Sequence, residues 1–162
     1  MLRQAAAADV PAMHRVRMSV RENRLASAVI TEADYVAAIE RLGRGWVIEV
    51  KGEIVAFAIG NARNGSIWAL FVDPEHEGRG YGRQLHDEMV KWLWLQGLER
   101  LWLTTAPATR ASRFYEAAGW ENVGGTGKGE VRFELTVPTG IELRAGRSGR
   151  ARRASRENES GP

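Results

Sequence analysis

A glycine-rich segment between an apolar run and a helix-like pattern is the part of this sequence best suited to bind a ligand. The apolar run Ile67–Val72 stops just before Pro74, and three alternating glycines then lead into helical spacing, namely Gly78, Gly80 and Gly82. Glycine has no Cβ, so an anion can approach the backbone N–H groups closely. A helix start adds unpaired N–H donors and about half a unit of positive charge. The spacing therefore predicts a phosphate-binding turn.

Two common nucleotide motifs do not fit this segment. The dinucleotide fingerprint needs a third glycine at the position of Arg83. It also needs an acidic residue at the end of the next strand, and the predicted strand Leu101–Thr105 does not end in one. A P-loop needs Gly-Lys-Ser/Thr, which the sequence lacks. A glycine-rich connector without a ligand is the plain alternative. If the segment binds a ligand, a pyrophosphate held in another way is what we expect.

Two motifs together resemble the GNAT N-acetyltransferase superfamily. The first is the family's acyl-CoA signature, Arg/Gln-x-x-Gly-x-Gly/Ala after a strand ending in Val-x-Pro, matched here by Val72, Pro74, Gly80, Gly82 and the early helical Leu85. The second, Ala111–Trp120, is similar to the family's Ala-x-x-Phe-Tyr-x-x-x-Gly-Phe/Trp pattern. The motifs occur in the family's order with a strand between them, and the resemblance covers most of Leu2–Val137.

The resemblance implies a fold and a cofactor site. The fold is α/β (α+β), with three layers in which helices cover both faces of a central, mostly antiparallel, twisted sheet. The strands ending near Val72 and beginning near Leu101 splay apart in this family, and the pantetheine arm of acetyl-CoA enters the gap. The implied cofactor contacts are Leu70, Phe71, Val72, Glu77, Gly78, Arg79, Gly80, Tyr81, Gly82, Arg83 and Phe114.

The implied activity is transfer of an acetyl group, without a metal, to a primary amine of a small molecule or peptide. By resemblance Tyr115 protonates the departing CoA thiolate, and a backbone N–H near Leu70 or Phe71 polarises the thioester carbonyl. A phenol with a pKa of about 10 is protonated at neutral pH, as a general acid must be. The alternative for Tyr115 is a packing role.

Two positions depart from the family pattern. Glu77 stands where the signature has Arg or Gln, so a carboxylate is expected beside the pyrophosphate, with Arg79 and Arg83 available to balance its charge. Ala108 replaces an asparagine that is common in the family, which removes a polar contact to the pantetheine arm. These departures motivate an alternative function, a non-catalytic acyl-CoA-binding or sensing module of the same fold.

The sequence does not identify the general base. The family often places a carboxylate on or near the central strand, yet Ile67–Val72 has none. Glu22 is the best available carboxylate, although a solvated helix end is the simpler interpretation. Arg21 and Arg24 nearby would suit an acceptor that carries a carboxylate, and Trp68 could line its pocket.

Composition narrows the class of protein. With 162 residues, 44% of them hydrophobic and 27% charged, the chain suits one soluble globular domain. It has no cysteine, and its three histidines lack partners at metal-ligand spacing, so packing or surface roles are expected for His14, His76 and His86. Without a membrane-length apolar run or a signal peptide, a cytoplasmic location is expected. A homodimer remains open.

The positive charge is concentrated at the C-terminal end. Residues 138–162 carry six arginines against three acids, which accounts for the whole net charge of +3. The domain at residues 1–137 is then neutral, so we do not expect it to bind nucleic acid. Few apolar groups occur in the tail, which predicts a disordered basic extension. An arm for RNA or an acidic partner is the alternative.

Hydrophobic spacing predicts the order of the elements. A strand at 2–4 precedes a helix capped by Asp9 and a second helix that begins at a capping box on Thr31. A meander of three strands at 46–50, 54–59 and 66–72 follows, with tight turns at Lys51-Gly52 and Asn64-Gly65. A helix ending at Gly97, a strand at 101–105, a helix at 109–118 and two strands complete the order, the last strand at 131–137.

Overall fold

The computed structural model describes residues 1–20 and 29–138, whose strands form two antiparallel sheets. The first sheet has the order β1-β2-β3-β4, made of β1 (Leu2–Gln4), β2 (Gly43–Val50), β3 (Glu53–Asn61) and β4 (Ile67–Val72). The second sheet has the order β5-β7-β6, made of β5 (Arg100–Thr105), β6 (Glu121–Gly125) and β7 (Val131–Thr136).

Helices cover both faces of the first sheet. On one face lie α1 (Val10–Ser19) and α2 (Glu32–Ala37) with a π-helical turn at Ala38–Leu42, and on the other lies α3 (Tyr81–Leu95). A fourth helix, α4 (Arg110–Ala117), packs on the second sheet, where the ring centre of Tyr115 lies 6.4 Å from that of Phe133. β3 supplies alternate side chains to two separate hydrophobic cores, Phe57 to the core with α1 and α2, and Ala58 to the core with α3. The predicted three-layer α/β fold is thereby confirmed.

Among the described residues, backbone pairing joins the two sheets at one place. A parallel bridge joins Ser66 to Trp102, and the Trp102 backbone N–H donates to the carbonyl of Gly65 at 3.0 Å. The Trp102 indole N–H also donates to the carbonyl of Asn64, at 3.0 Å. Beyond this bridge β4 pairs only with β3 among the described residues. The edge of β4 that faces β5 is therefore open, which confirms the expected splaying of these strands.

Local sequence explains most element boundaries. At the start of α2 the Thr31 hydroxyl accepts from the Asp34 N–H, and the Asp34 carboxylate accepts from the Thr31 N–H at 2.8 Å, as the capping box predicts. The turn at Lys51 and Gly52 has left-handed backbone at both residues, with φ of 53° and 81°, as a tight hairpin requires.

The predicted cap at Asp9 is wrong in its chemistry. Asp9 does precede α1, but its carboxylate makes no bond to that helix. It accepts instead from the Ala6 N–H at 2.8 Å and from both terminal nitrogens of the Arg3 guanidinium at 2.9 Å. The guanidinium offers two parallel donors and a full positive charge, whereas a helix N–H offers one neutral donor, so the side chain turns back to β1.

Helix α1 ends earlier than predicted. Its last residue is Ser19, and Val20 after it has extended backbone with φ of −89° and ψ of 110°, so the prediction of a helix that runs to about Glu22 is wrong. The tail predicted at residues 138–162 lies outside the part of the chain that the structure describes, apart from Pro138. Over the described ranges, no helix is both long enough and apolar enough to span a membrane.

Candidate active site

A cavity of about 290 Å³ lies against β4, the glycine-rich turn and α4. It brings together all of the sequence-predicted site residues except Arg79, namely Leu70, Phe71, Val72, Glu77, Gly78, Gly80, Tyr81, Gly82, Arg83, Phe114 and Tyr115. Its wall also contains four residues that sequence reasoning did not assign to it, Val20, His76, Arg110 and Ala111. Ala111 is the first residue of the second signature and Arg110 directly precedes it, and that position could have suggested both.

The glycine-rich turn presents a row of unused backbone donors. Gly80 precedes α3 with φ of +83°, and the first N–H to bond back into the helix is that of Gln84, which donates to the Gly80 carbonyl at 3.0 Å. Among the described residues, none of the six amides from Gly78 to Arg83 has a hydrogen-bond acceptor. Consecutive free amides at a helix start form an anion-binding site. We call residues Gly78–Arg83 the cradle.

The space in front of Gly80 is open. A Cβ placed on Gly80 would meet no atom within 4 Å, whereas one placed on Gly82 would lie 3.5 Å from the side chains of Phe114 and Val72. Packing therefore does not explain the glycine at position 80. Its positive φ does, and so would the close approach of a ligand.

The unusual carboxylate of Glu77 has a partner. Its Oε1 lies 3.3 Å from the Arg110 guanidinium at the start of α4, and both residues line the cavity. Arg79 and Arg83 were expected to balance the charge of this carboxylate. Among the described residues its ion-pair partner is Arg110 instead, and Arg83 pairs with Asp87 at 3.0 Å. The ion pair to Arg110 thus directs the Glu77 carboxylate towards α4.

The backbone at position 108 suits the family's asparagine better than the alanine of this chain. Its φ is +60°, a left-handed conformation that asparagine tolerates better than alanine. The Arg113 guanidinium donates to the Ala108 carbonyl at 3.2 Å, within the turn that begins α4. An asparagine there would suit the turn whatever it also does for a ligand.

Tyr115 is held rigidly and keeps its proton. Its ring packs edge-on against Phe114 and Trp120, with both centroid distances at 5.2 Å, and the residue is only 6% exposed. Burial raises the pKa of the Tyr115 hydroxyl above its ordinary value. Within the described residues nothing hydrogen-bonds this hydroxyl. Tyr115 therefore faces the cavity as a neutral phenol, the form that a proton donor needs.

A buried histidine links the two helices of the site. Trp120 donates its indole N–H to Nε2 of His86 at 2.9 Å, so the His86 proton is assigned to Nδ1, which lies 2.8 Å from Asp87. The His86 ring packs on Phe114 and Tyr115. Burial lowers the pKa of His86, and the imidazole stays neutral. His86 thus has the predicted packing role, here as a bridge between α3 and α4.

The other histidines differ from that pattern. His14 bonds to the Tyr35 hydroxyl at 2.8 Å, on the opposite side of the sheet from α3. His76 lines the cavity, and its buried Nδ1 has no partner in the described part of the chain. Over residues 1–20 and 29–138, no three side chains of the metal-binding types come together. The residues proposed from sequence as base or acceptor contacts, Arg21, Glu22 and Arg24, lie outside the described residues.

Solved structures share this fold. The N-acetyltransferase PaiA from Thermoplasma acidophilum, in complex with coenzyme A, aligns with a TM-score of 0.72 at 13% identity over 85% of this chain and 98% of its own. The ribosomal-protein-S18-alanine N-acetyltransferase from Escherichia coli aligns with a TM-score of 0.67 at 18% identity over 88% and 98%. An N-acetyltransferase from Staphylococcus aureus reaches 0.70 at 19% identity over 84% and 97%.

Comparison by sequence gives a more direct result. No curated protein sequence matches the chain significantly. The model of the acetyltransferase (GNAT) family matches residues 11–120, which contain α1, β4, the cradle and Tyr115. The match covers more than half of the chain and both signature segments, so this protein belongs to the GNAT acetyltransferase family.

Proposed function

We propose that this protein transfers an acetyl group from acetyl-CoA directly to a primary amine of a small molecule or peptide. The amine nitrogen attacks the thioester carbonyl, a C–N bond forms and the C–S bond breaks. The amine loses one proton and the CoA thiolate gains one, so the products are an amide and free CoA thiol. The observation that carries the proposal is the cavity that joins the cradle, the open edge of β4 and Tyr115.

The cradle fits the pyrophosphate of acetyl-CoA. Six free amides and the positive end of the α3 dipole can neutralise a pyrophosphate without any lysine or a metal. The pantetheine arm carries amides of its own, which can pair with the unpartnered edge of β4 in the way an added strand would. The coenzyme A complex of the similarly folded PaiA enzyme supports this choice of ligand.

Tyr115 is the proposed proton donor to the thiolate. Its hydroxyl is neutral and free of competing hydrogen bonds within the described residues, and it lies in the same cavity as Leu70 and Phe71. A backbone N–H of the β4 edge near those residues would polarise the thioester carbonyl, as an oxyanion hole does. The acceptor amine must arrive unprotonated, which makes the rate rise with pH as the amine loses its proton.

The alternative of a non-catalytic binding module loses its main support. That interpretation rested on Glu77 and Ala108, but Glu77 has an ion-pair partner in Arg110, and the asparagine that Ala108 replaces would suit a left-handed turn without contacting any ligand. Neither residue blocks the cradle amides. The neutral phenol of Tyr115 beside the cradle favours chemistry over binding alone.

Acceptor-dependent release of CoA thiol tests the proposal. Purified protein with acetyl-CoA is offered a panel of amino acids, aliphatic amines and short peptides, and free thiol is followed alongside the mass of the acetylated product. We expect at least one amine to raise thiol release well above the hydrolysis seen without an acceptor. Tight acetyl-CoA binding with no amine-dependent thiol across the panel would favour the binding module instead.

A further inference from the structure

Arg17 is the most buried arginine among the described residues and has no carboxylate partner there. It projects from α1, is 7% exposed and appears in no ion pair with residues 1–20 or 29–138. Its two hydrogen bonds, to the Tyr35 hydroxyl and the Trp68 carbonyl, are both long at 3.5 Å. Its Nε is buried without any acceptor. The guanidinium therefore has unused donor capacity.

The contrast with Arg3 makes this unusual. Arg3 is far more exposed, yet it pairs with Asp9 at 2.9 Å and Glu49 at 3.1 Å. Pairing matters more for a buried charge, because removal from water is costly unless an anion or good hydrogen bonds replace the solvent. Arg17 has the greater burial and the poorer partners. A bound anion would be the simplest partner for the unsatisfied donors of the guanidinium.

Aromatic rings prepare the guanidinium for such an anion. Its central carbon lies 4.9 Å from the ring centres of both Trp68 and Phe71 and 5.8 Å from that of Tyr35. Stacking on rings offsets part of the cost of burial while leaving the N–H edge of the guanidinium available. That planar edge matches a carboxylate, which can accept two parallel hydrogen bonds from it.

The position of Arg17 connects it to the proposed chemistry. Val20, the residue directly after α1, lines the cavity, and so does Phe71, on whose ring the guanidinium lies. The carbonyl that Arg17 contacts belongs to Trp68, the extra residue where β4 bulges from β3 between the pairs Ile59–Ala69 and Gly60–Ile67. Arg17 is not part of the cavity wall itself, and it adjoins the cavity through Phe71 and through the chain that leads to Val20.

We propose that Arg17 binds a carboxylate of the acceptor, so that the substrate class is small molecules with a primary amine and a carboxylate a few bonds apart. This rests on the proposed function. With its carboxylate on the guanidinium beside Phe71, the amine of such a molecule can extend along β4 to the thioester near Leu70. The same charge disfavours diamines and polyamines, whose second ammonium would approach a cation with no counter-ion among the described residues.

The test compares matched acceptors, one with a carboxylate and one with an uncharged carboxamide in its place. The common L-amino acids and their carboxamides are assayed with acetyl-CoA for thiol release, with aliphatic diamines in the same series. We expect the parent protein to favour the carboxylate in at least one pair by about tenfold or more in kcat/KM, the effect of one charge-assisted hydrogen bond. Equal rates across every pair, or a preference for carboxamides or diamines, would overturn the inference and leave acetyl transfer standing.

Variants assign the preference to Arg17. Arg17→Met keeps an unbranched apolar stem and removes the guanidinium, and should lower kcat/KM for the preferred amino acid about 10- to 100-fold while changing that for its carboxamide less than about threefold. Arg15→Met, on the exposed face of the same helix, is the matched control and should leave the preference intact. A loss that is equal for both members of the pair would mean a structural role for Arg17.

A binding measurement separates this inference from the proposed function. With coenzyme A present, calorimetry compares the N-acetyl form of an amino acid with the N-acetyl carboxamide, in the parent and in Arg17→Met. Binding of the carboxylate form that depends on Arg17 supports the anchor even if no amine is acetylated. Absence of such binding for every carboxylate in the series contradicts it even if other amines are acetylated.

Discussion

The cradle and the Arg17 site bind, in our account, two anions by opposite means. The cradle uses consecutive backbone amides of one short segment, Gly78–Arg83, and its specificity comes from glycine and a helix start. The Arg17 site uses one side chain of α1 that is enclosed by Tyr35 of α2 and by Trp68 and Phe71 of β4. A backbone site can be retained by a spacing of glycines, whereas a side-chain site depends on the packing of the whole domain. Substitutions should therefore affect the two sites independently.

The largest effect on acetyl-CoA binding is expected at Gly80. In Gly80→Val a Cβ occupies the open space before the cradle amides, and acetyl-CoA affinity should fall about 100-fold, the equivalent of two charge-assisted hydrogen bonds. Gly52→Val is the matched control, because Gly52 has nearly the same φ, +81°, and equally open surroundings in a distant hairpin. Calorimetry should find the control binding normally despite similar backbone strain. Unchanged affinity in Gly80→Val would mean that the pyrophosphate binds elsewhere.

Replacement of His86 should lower the free energy of unfolding, because the imidazole connects α3 with Trp120. His86→Phe leaves the Trp120 indole N–H buried without its acceptor, which should cost about 1–3 kcal/mol of unfolding free energy. Chemical denaturation measures this, and His14→Phe provides a histidine replacement away from α3. A negligible loss would show that water replaces the imidazole.

The same histidine predicts a pH dependence. Burial lowers the pKa of His86 in the folded state below its ordinary 6.5, so the unfolded chain takes up the proton first. The neutral imidazole's contribution to stability is complete above pH 6.5 and is lost as the pH falls through 6.5 towards the lower folded-state pKa. Melting temperatures between pH 7 and 5 should fall more steeply in the parent than in His86→Gln. Parallel curves would contradict this assignment.

Ala108 offers a smaller gain. Its φ of +60° strains an alanine, and Ala108→Asn should stabilise the fold by up to about 1 kcal/mol because asparagine accepts left-handed backbone more readily. Thermal unfolding measures the gain, with exposed Ala117→Asn in α4 as a control expected to lose stability. A loss of stability in Ala108→Asn as well would indicate that the asparagine side chain clashes with its surroundings.

The smallest effect is expected at Glu77. Glu77→Gln removes a carboxylate from the cavity and frees Arg110, so acetyl-CoA should bind equally or a few times more tightly, as suits a partly exposed pair. Glu75→Gln, on the same loop but outside the cavity wall, should change nothing. A marked loss of affinity would show that the ion pair shapes the cradle.

The contrast between the two anion sites also explains what sequence could predict. The cradle, the strands and the position of Tyr115 follow from local spacing, because turns and helix starts need particular residues at particular places. The partners of Arg17 lie 18 and 51 residues away along the chain, and Trp120 lies 34 residues from His86, so no local pattern encodes them. The Asp9 cap was predicted wrongly although the competing partner is only six residues away, because helix spacing does not show that the Arg3 side chain of β1 turns towards Asp9.

Tyr115→Phe tests the central claim most directly. The ring and its packing remain, so stability and the dissociation constant for acetyl-CoA should change little, while turnover with the best acceptor falls roughly 10²- to 10⁴-fold. Tyr81→Phe, which removes the other tyrosine hydroxyl of the cavity wall, controls for a general loss of polarity. With an acetyl thioester whose thiolate leaves more easily, the deficit of Tyr115→Phe should shrink. Turnover equal to that of the parent would make Tyr115 a packing residue and leave water as the source of the proton.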